Sequence, residues 1–535
     1  MFEFAKIRDK PKMKSIVTHD CVFNEFFLIY CHVPEVKYDI YMSNGDMQYD
    51  VTDLDTILKT IVNNAEKRVK SKSCRVLVFV SQINCVIRFF PDAKAIFNKI
   101  KDHKIMCLID DNFEIRDFGS VIDSGVSNID RMIDWMGVFG RHPSKIKLTL
   151  ASNAQRAFYN GLTNLCWKDA VENRRFLNKR SDYIGLISGS TSGLQYAKPN
   201  CICEIFNNVV SFDKKSAYPS IFVSYDSFPI GRILHTKHYG VKKLFDLIKA
   251  NVWFQIVCDD LPDFPKQYAI WFKSKRYTTF GINNFDFKII ESLGLKESLF
   301  SSLDKVEWQL FYSDEYGYLI DEFREKIVDL YYKKESEPNG KMKRFHKKQL
   351  EILFGKGIQN DFIETDSDVK RIYSRNGNRY LLPSFSRIAI SAVKYELFRA
   401  VLDDPFFLVC NTDGIKSLEN LPILQAKFDE KNEVILEANK KAGFDGCSIG
   451  TWKHEYTADR FIMVSVERYM YEIDSNVSSV VSGVPNEAIV SYTSKEPDPL
   501  VWLQKRPQIE FTLEWEYDSA NNCYKPIKRP YSFRR

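Results

Sequence analysis

The sequence predicts an α+β multidomain protein that begins with an α/β unit. Three observations carry this. At 535 residues the chain exceeds the roughly 250–300 residues that one hydrophobic core fills, so it divides into several domains. Over residues 1–190, apolar strand-like runs alternate with amphipathic helical ones, the order that builds α/β units. From about residue 317 the spacing turns helical, and short strand pairs with tight turns follow.

The elements follow in chain order. DTILKTIVNNAEKRV has helical spacing and a basic end. CRVLVFVSQINCVIRFF reads as one or two buried strands, and KIMCLIDDNFEIRDFGSVI as a strand, a turn and a strand. SGSTSG at 188–193 is a small-residue joint and marks a domain boundary. Aromatic strands and turns fill 231–316. YLIDEFREKIVDLYYKK and KMKRFHKKQLEILFGKG form a helical hairpin whose polar tip is ESEPNG. IYSRNGNRYLL is a β-hairpin by its Asn-Gly turn. RIAISAVKYELFRAVL is a helix, and PFFLVCNTDGIKSL a strand hairpin. The last 70 residues mix short strands and end in the basic tail YKPIKRPYSFRR. That tail suits either phosphate binding or a solvated, disordered terminus.

Composition removes several function classes. Hydrophobic content of 44% with 14% aromatic residues is that of a well-filled globular protein and excludes a disordered chain. The net charge of +6 permits a nucleic-acid partner without requiring one. The 12 cysteines lack CxxC or Cys/His zinc spacing, so free thiols in a reducing compartment are expected. The N-terminal residues MFEFAKIRDKPKMKS lack the apolar run of a signal peptide, and no 18-residue apolar stretch offers a membrane span. A soluble cytoplasmic protein with no membrane partner is expected.

Chemistry enters at SFDKKSAYPSI, residues 211–221, where an apolar run closes on Asp213. A lone strand-end aspartate is ordinarily a turn or cap residue. A second one changes the reading: the apolar strand 406–410 runs into Asn-Thr-Asp-Gly and places Asp413 in a hairpin turn. Two strands that each deliver a carboxylate hold them side by side only if the repulsion is neutralised. Two divalent cations do this, and hard oxygen ligands suit Mg2+, with Mn2+ as a substitute. Such a pair is the standard clamp for in-line phosphoryl transfer. Between the aspartates, Lys343 and Lys347 stand four apart on one helix face; Phe354 lies seven beyond Lys347, and Gly355 follows. Cations and an aromatic platform suit a nucleotide, while the bland alternative is a solvated basic face with a buried phenylalanine.

In this order the three stretches resemble a family B DNA polymerase. SFDKKSAYPSI matches that family's DxxSLYPS motif at Asp213, Ser216, Tyr218, Pro219 and Ser220. The helix resembles Kx₃NSxYG with Lys347 and Gly355 retained, and NTDG resembles YxDTDS. The resemblance is narrowest to the protein-primed branch of small bacteriophages and linear plasmids, partly through GTWKHE at 450–455, and covers about 190–535.

The resemblance implies a right-hand fold of palm, fingers and thumb behind an exonuclease-like domain at 1–190. Palm would occupy 191–230 and 386–465, an insertion resembling the terminal-protein region 231–316, fingers 317–360, a β-hairpin insertion 361–385, and thumb with basic tail 466–535. It implies Asp213 and Asp413 as catalytic metal ligands. Ser216, Tyr218, Lys343, Lys347 and Phe354 would bind the nucleotide, Tyr218 by excluding a 2′-hydroxyl. Gly355, Arg468 and Tyr469 would meet DNA. Partners would be a DNA primer-template, deoxynucleotides and a terminal protein primer, in the host bacterial cytoplasm of a phage-encoded enzyme.

The departures matter as well. The family's Asn-Ser pair is Glu351-Ile352, its Tyr is Phe354, and the first Asp of its turn is Asn411. Its Lys-x-Tyr becomes Glu467-Arg468-Tyr469. No Asp-x-Glu appears across 1–212; Asp111-Asn112-Phe113-Glu114 has the wrong spacing, so the first domain reads as an exonuclease-like unit without metals, or an unrelated α/β domain. Alternatives to a DNA-directed polymerase are a template-independent or self-primed nucleotidyltransferase in defence, a catalytically dead DNA-binding pseudo-polymerase, and, more weakly, a reverse transcriptase.

Overall fold

The computed structural model describes residues 23–42, 44–68, 75–87, 94–98, 103–108, 113–118, 127–138, 193–237, 241–273, 279–356, 361–365, 368–372, 383–402 and 404–533 except 483, 485, 519 and 522, plus the isolated positions 89, 122, 154, 157 and 158. The SGSTSG joint up to 192, the RNGN turn, Asp111 and Asn112 lie outside these residues.

The N-terminal part forms a seven-stranded sheet. Its strands are β1 (Phe23–His32), β2 (Lys37–Met42), β3 (Met47–Val51), β4 (Arg75–Val80), β5 (Lys94–Asn98), β6 (His103–Leu108) and β7 (Phe113–Asp117). They run in the order β3-β2-β1-β4-β7-β6-β5, and β1, β4 and β7 are parallel neighbours. The continuous apolar runs of β1 and β4 are explained by burial on both faces. Phe26, Leu28, Leu77 and Phe79 point to one core, Phe27, Ile29, Val76 and Val78 to another. Helix α1 (Leu54–Arg68) covers the second face with Leu54 and Leu58. After β4 the expected second strand is instead a short helix, α2 (Ile83–Ile87). Helix α3 (Ile129–Val138) covers the first face, burying Ile129, Met132, Trp135 and Met136 at helical spacing.

The central sheet brings together distant segments. Strands β8 (Gln195–Ala197) and β9 (Ile205–Lys214) precede helix α4 (Ala217–Ser224). The pair β10 (Phe228–Pro229) and β15 (Tyr316–Gly317) brackets a second sheet of β11 (Ile233–Lys237), β12 (Phe254–Cys258), β13 (Phe280–Asn283) and β14 (Trp308–Ser313). That sheet carries α5 (Val241–Ala250), α6 (Lys266–Ala269), α7 (Asn284–Ser292) and α8 (Lys296–Leu303). The helical hairpin follows as α9 (Asp321–Ser336) and α10 (Gly340–Lys356). A two-stranded hairpin, β16 (Asp361–Thr365) and β17 (Asp368–Ile372), lies just ahead of the expected RNGN turn. Helix α11 (Pro383–Leu402) leads into β18 (Phe407–Asn411) and β19 (Gly414–Ser417), and α12 (Leu421–Lys441) into β20 (Trp452–Ser465), β21 (Arg468–Ile473) and β22 (Asn476–Val481). The central order is β22-β21-β20-β9-β19-β18-β8, so β9 has β19 on one side and β20 on the other.

Helices α13 (Asn486–Thr493) and α14 (Pro499–Gln504) precede a long hairpin, β23 (Gln508–Asp518) and β24 (Cys523–Ser532). Most of the tail expected to be disordered or phosphate-binding is thus a paired strand. Tyr524 explains the ordering: it is buried against the N-terminal sheet, with its hydroxyl bonded to that of Tyr38 and donating to the Cys85 carbonyl at 3.0 Å. Among the described residues no helix is long and apolar enough to cross a membrane.

Candidate active site

The two aspartates converge because of strand register. Asp213 is the last residue but one of β9, with Gly414 of β19 opposite it on one side and Lys453 of β20 on the other. Asn411 pairs with Gly414, so Thr412 and Asp413 form a two-residue turn between β18 and β19. The Asp413 carbonyl accepts from the Lys214 amide at 3.0 Å, tying the turn to β9. A Cβ at position 414 would sit 3.0 Å from the Phe212 carbonyl oxygen and 3.3 Å from Asp213 Oδ1, so glycine lets the turn close against the carboxylate. Thr412 holds φ at 64°, a left-handed conformation costly for a β-branched residue, by about 1–3 kcal/mol. Its amide donates to Leu194 and its hydroxyl to Asn411, which over-determine the turn.

Burial raises both carboxyls. Burial first, then Asp413 and Glu455, pushes Asp213 up to about 7, with Lys453 opposing. Burial pushes Asp413 up to about 6; Lys347 and Lys416 pull it down while Glu455 and Glu351 push it up. Lys416 is buried on β19 with its ammonium 4.7 Å from the Tyr469 ring centre; burial lowers its pKa. Two raised, partly buried carboxyls, one on β9 and one in the turn beside it on the same sheet, are hard oxygen donors that divalent cations fit. Among the described residues no group of three or more His, Cys, Asp or Glu could hold a metal alone. A cation there would complete its shell with water or substrate phosphates, which is how Mg2+ is held at phosphoryl-transfer sites.

Around this pair stand the other expected residues. Tyr218 is buried in α4, and its hydroxyl donates to the Thr412 carbonyl at 3.4 Å. A Cβ at Gly193 would lie 2.9 Å from that hydroxyl. Ser216 precedes α4 in a left-handed conformation and accepts from Lys334 Nζ at 2.9 Å. Lys347 projects from α10, acts on Asp413, and pairs with Glu351 at 3.8 Å; Glu351 also accepts from Lys348 at 3.0 Å. Lys343 is exposed one turn earlier and acts on Glu335. Phe354 and Gly355 fall in the last turn of α10. Tyr469 lies within the field of Asp213 and Glu455, whereas the Arg468 guanidinium packs over Tyr531 of the C-terminal hairpin, 5.1 Å from its ring centre.

Two departures from the motif are joined in space. Gln195 Nε2 donates to Glu467 at 2.8 Å and to Asn411 Oδ1 at 3.2 Å. An aspartate at 411 would face Glu467 across this amide, and asparagine removes the repulsion. Sequence reading assigned no site role to Lys334, Lys416, Lys453 and Glu455. Glu455 accepts from Ser211 at 3.1 Å. Its signal was the charged pair 453 and 455 at strand spacing beside Trp452. Trp452 is buried and packs on Phe428 with ring centres 4.6 Å apart, whereas His454 is exposed on the hairpin and hydrogen-bonds Thr457 at 3.0 Å.

No protein-family model matches the chain, and no curated protein matches it in sequence. Solved structures do. Phi29 DNA polymerase with primer-template DNA and incoming nucleotide substrates matches at TM-score 0.58 and 11% identity, over 96% of this chain and 100% of that one. The same polymerase with primer-template DNA alone matches at 0.57 and 11% identity, over 95% and 100%. With single-stranded DNA it matches at 0.57 and 11% identity, over 96% and 100%. The chain has the α+β right-hand fold of phi29 DNA polymerase. At this identity the likeness carries the architecture, and the chemistry rests on the side chains.

Proposed function

We propose that the protein is a DNA-directed DNA polymerase that joins deoxynucleotides to a 3′-hydroxyl or to a protein-primer hydroxyl. The observation that carries the reading is the register that sets Asp413 beside Asp213 on one sheet, with Lys347 of α10 acting on Asp413. The palm is 191–230 with 386–465, the fingers 317–360, the insertion 231–316, the β-hairpin 361–385 and the thumb with tail 466–535. The N-terminal unit is a degenerate exonuclease of the protein-primed branch, so synthesis proceeds without proofreading and serves a phage or plasmid genome in the host cytoplasm.

Asp213 and Asp413 would hold two Mg2+ ions, or Mn2+, which when bound activate the attacking hydroxyl and neutralise the leaving pyrophosphate. The chain supplies the rest. Lys343, Lys347 and Lys334 set positive charge along one wall for the triphosphate. Tyr218 fills the floor below the sugar and leaves no room for a 2′-hydroxyl. Ser216 fixes Lys334; Phe354 would stack on the base of the incoming nucleotide, and Gly355 would meet the DNA. Arg468 and Tyr469 line the path of the primer strand.

Primer extension tests this: purified protein, a primed template with a 5′ overhang, Mg2+ or Mn2+, four deoxynucleotides, and a lane without primer. Template-length product only in the primed lane is expected. The pairing of Lys347 with Glu351 favours one second reading, self-primed or template-independent transfer, because it weakens the cationic wall. Product without primer, or label fixed to the protein, would establish it. No product in any lane, with a terminal protein added, would sink both.

A further inference from the structure

Helix α10 is wedged between two cores. Leu350 and Leu353 belong to the core under the central sheet. Phe345 and Ile352, seven apart and hence on one stripe, belong to the N-terminal core, with Phe26, Leu28, Leu77, Phe79 and Trp135. Lys347 follows Phe345 by two residues, so it leaves the opposite side of the helix, toward Asp413. The stripe continues to the tip: Lys341 forms an ion pair with Asp134 of α3, and the Arg344 guanidinium lies 5.9 Å from the Trp135 ring centre. These residues line a cavity of about 630 Å³ at the junction. The N-terminal unit is pinned from elsewhere too, through Tyr524 of β24, whose amide donates to Pro34 at 3.0 Å and whose hydroxyl meets Tyr38 and Cys85.

We infer that the N-terminal unit supports the nucleotide-binding helix: Phe345, Ile352 and Lys341 of α10, with Asp134 and Trp135 of α3, are positioning residues that hold Lys347 toward Asp413 and Lys343 one turn earlier on the same face. This rests on the polymerase reading for its activity readout. A helix packed on one side only would pivot about the central core. The second contact fixes its roll, and the roll sets where both ammonium groups stand. Loss of the contact therefore weakens nucleotide capture before it slows the chemical step.

The test uses the full chain with Phe345→Ala, Phe345→Leu, Asp134→Lys, Lys341→Asp and the double charge swap. Two quantities are read: KM and kcat for a deoxynucleotide in primer extension, and backbone hydrogen exchange across 343–353. Phe345→Ala is expected to raise KM on the order of tenfold or more, since a misplacement near 1 Å costs that much, with a smaller change in kcat and faster exchange in α10. Phe345→Leu should restore most of both. Each single charge variant should raise KM only a few-fold, as befits an exposed pair, and the double swap should return it. Unchanged KM and exchange in Phe345→Ala overturn the proposal, as does faster exchange with KM unmoved. If Phe345→Ala does not fold, the charge-swap cycle decides, and a double swap no better than the singles refutes the contact. If the wild type incorporates nothing, the polymerase reading falls, and exchange alone judges the support: α10 amides unaffected by every variant overturn it, and loosened ones uphold it.

Discussion

Replacing Asp413 by asparagine should stabilise the metal-free protein while abolishing synthesis. The carboxyl is raised from 3.8 to about 6 by burial and neighbouring carboxylates, so the folded state binds its proton more tightly than the unfolded chain does. Folding stability therefore falls as pH rises from about 4 through about 6, and the whole penalty is present above that window. At ~1.4 kcal/mol per pH unit, the ionised folded state is penalised by about 3 kcal/mol. Asparagine keeps the shape and carries no charge, and it also relieves Asp213, which Asp413 pushes up. The assay is thermal unfolding with EDTA at pH 4 and at pH 8, repeated with Mg2+. The variant should match wild type at pH 4. At pH 8 it should melt several degrees higher, given about 2–4 °C per kcal/mol for a domain-sized transition. Mg2+ should raise the wild type more than the variant, because only the wild type keeps the full donor set. A variant less stable than wild type at pH 8 in EDTA, or a gap indifferent to pH, would refute the account of a carboxyl destabilised by its burial.

Three further outcomes follow from the geometry. Tyr218→Ala should admit ribonucleotides, seen as a fall in the ratio of dNTP to rNTP kcat/KM, alongside a loss of about 3–5 kcal/mol for emptying a buried aromatic site; unchanged discrimination would move the sugar gate elsewhere. Glu351→Gln should lower KM for dNTP a few-fold, because it releases Lys347 and Lys348 from a pair of about 0.2–1 kcal/mol and removes a charge that raises Asp413; a higher KM would show that Glu351 itself assists binding. Gly414→Ala should cost about 1–3 kcal/mol and cut kcat at least tenfold, since its Cβ would press on the Phe212 carbonyl and Asp213; chemical denaturation and primer extension check both.

Much of the site was legible because it lies at ends of elements that local pattern marks. An apolar run that stops on Asp213, and another that enters Asn-Thr-Asp-Gly, announce strand ends without any structure. The helical hairpin is likewise marked by its spacing and its Pro-Asn-Gly tip. Short and mixed stretches were less legible. INCVI follows an apolar strand directly and turns helical, and periodicity cannot divide so short a run. The basic tail looks solvated in sequence, yet Tyr524 inserts into the N-terminal unit nearly 500 residues from its partner Tyr38.

The sequence by itself determined an α+β chain of several domains, the two aspartates and the cations between them, because residue type and short-range spacing suffice for each. Only the tertiary structure decided that Gly414 and Lys453 flank Asp213 and that Glu455 joins the same field. It alone decided that Gln195 links Asn411 to Glu467, and that α10 shares a core with the N-terminal sheet. These are pairings between segments up to more than 300 residues apart, fixed by sheet order and by which helix face finds an apolar partner. Neither leaves a periodic trace along the chain.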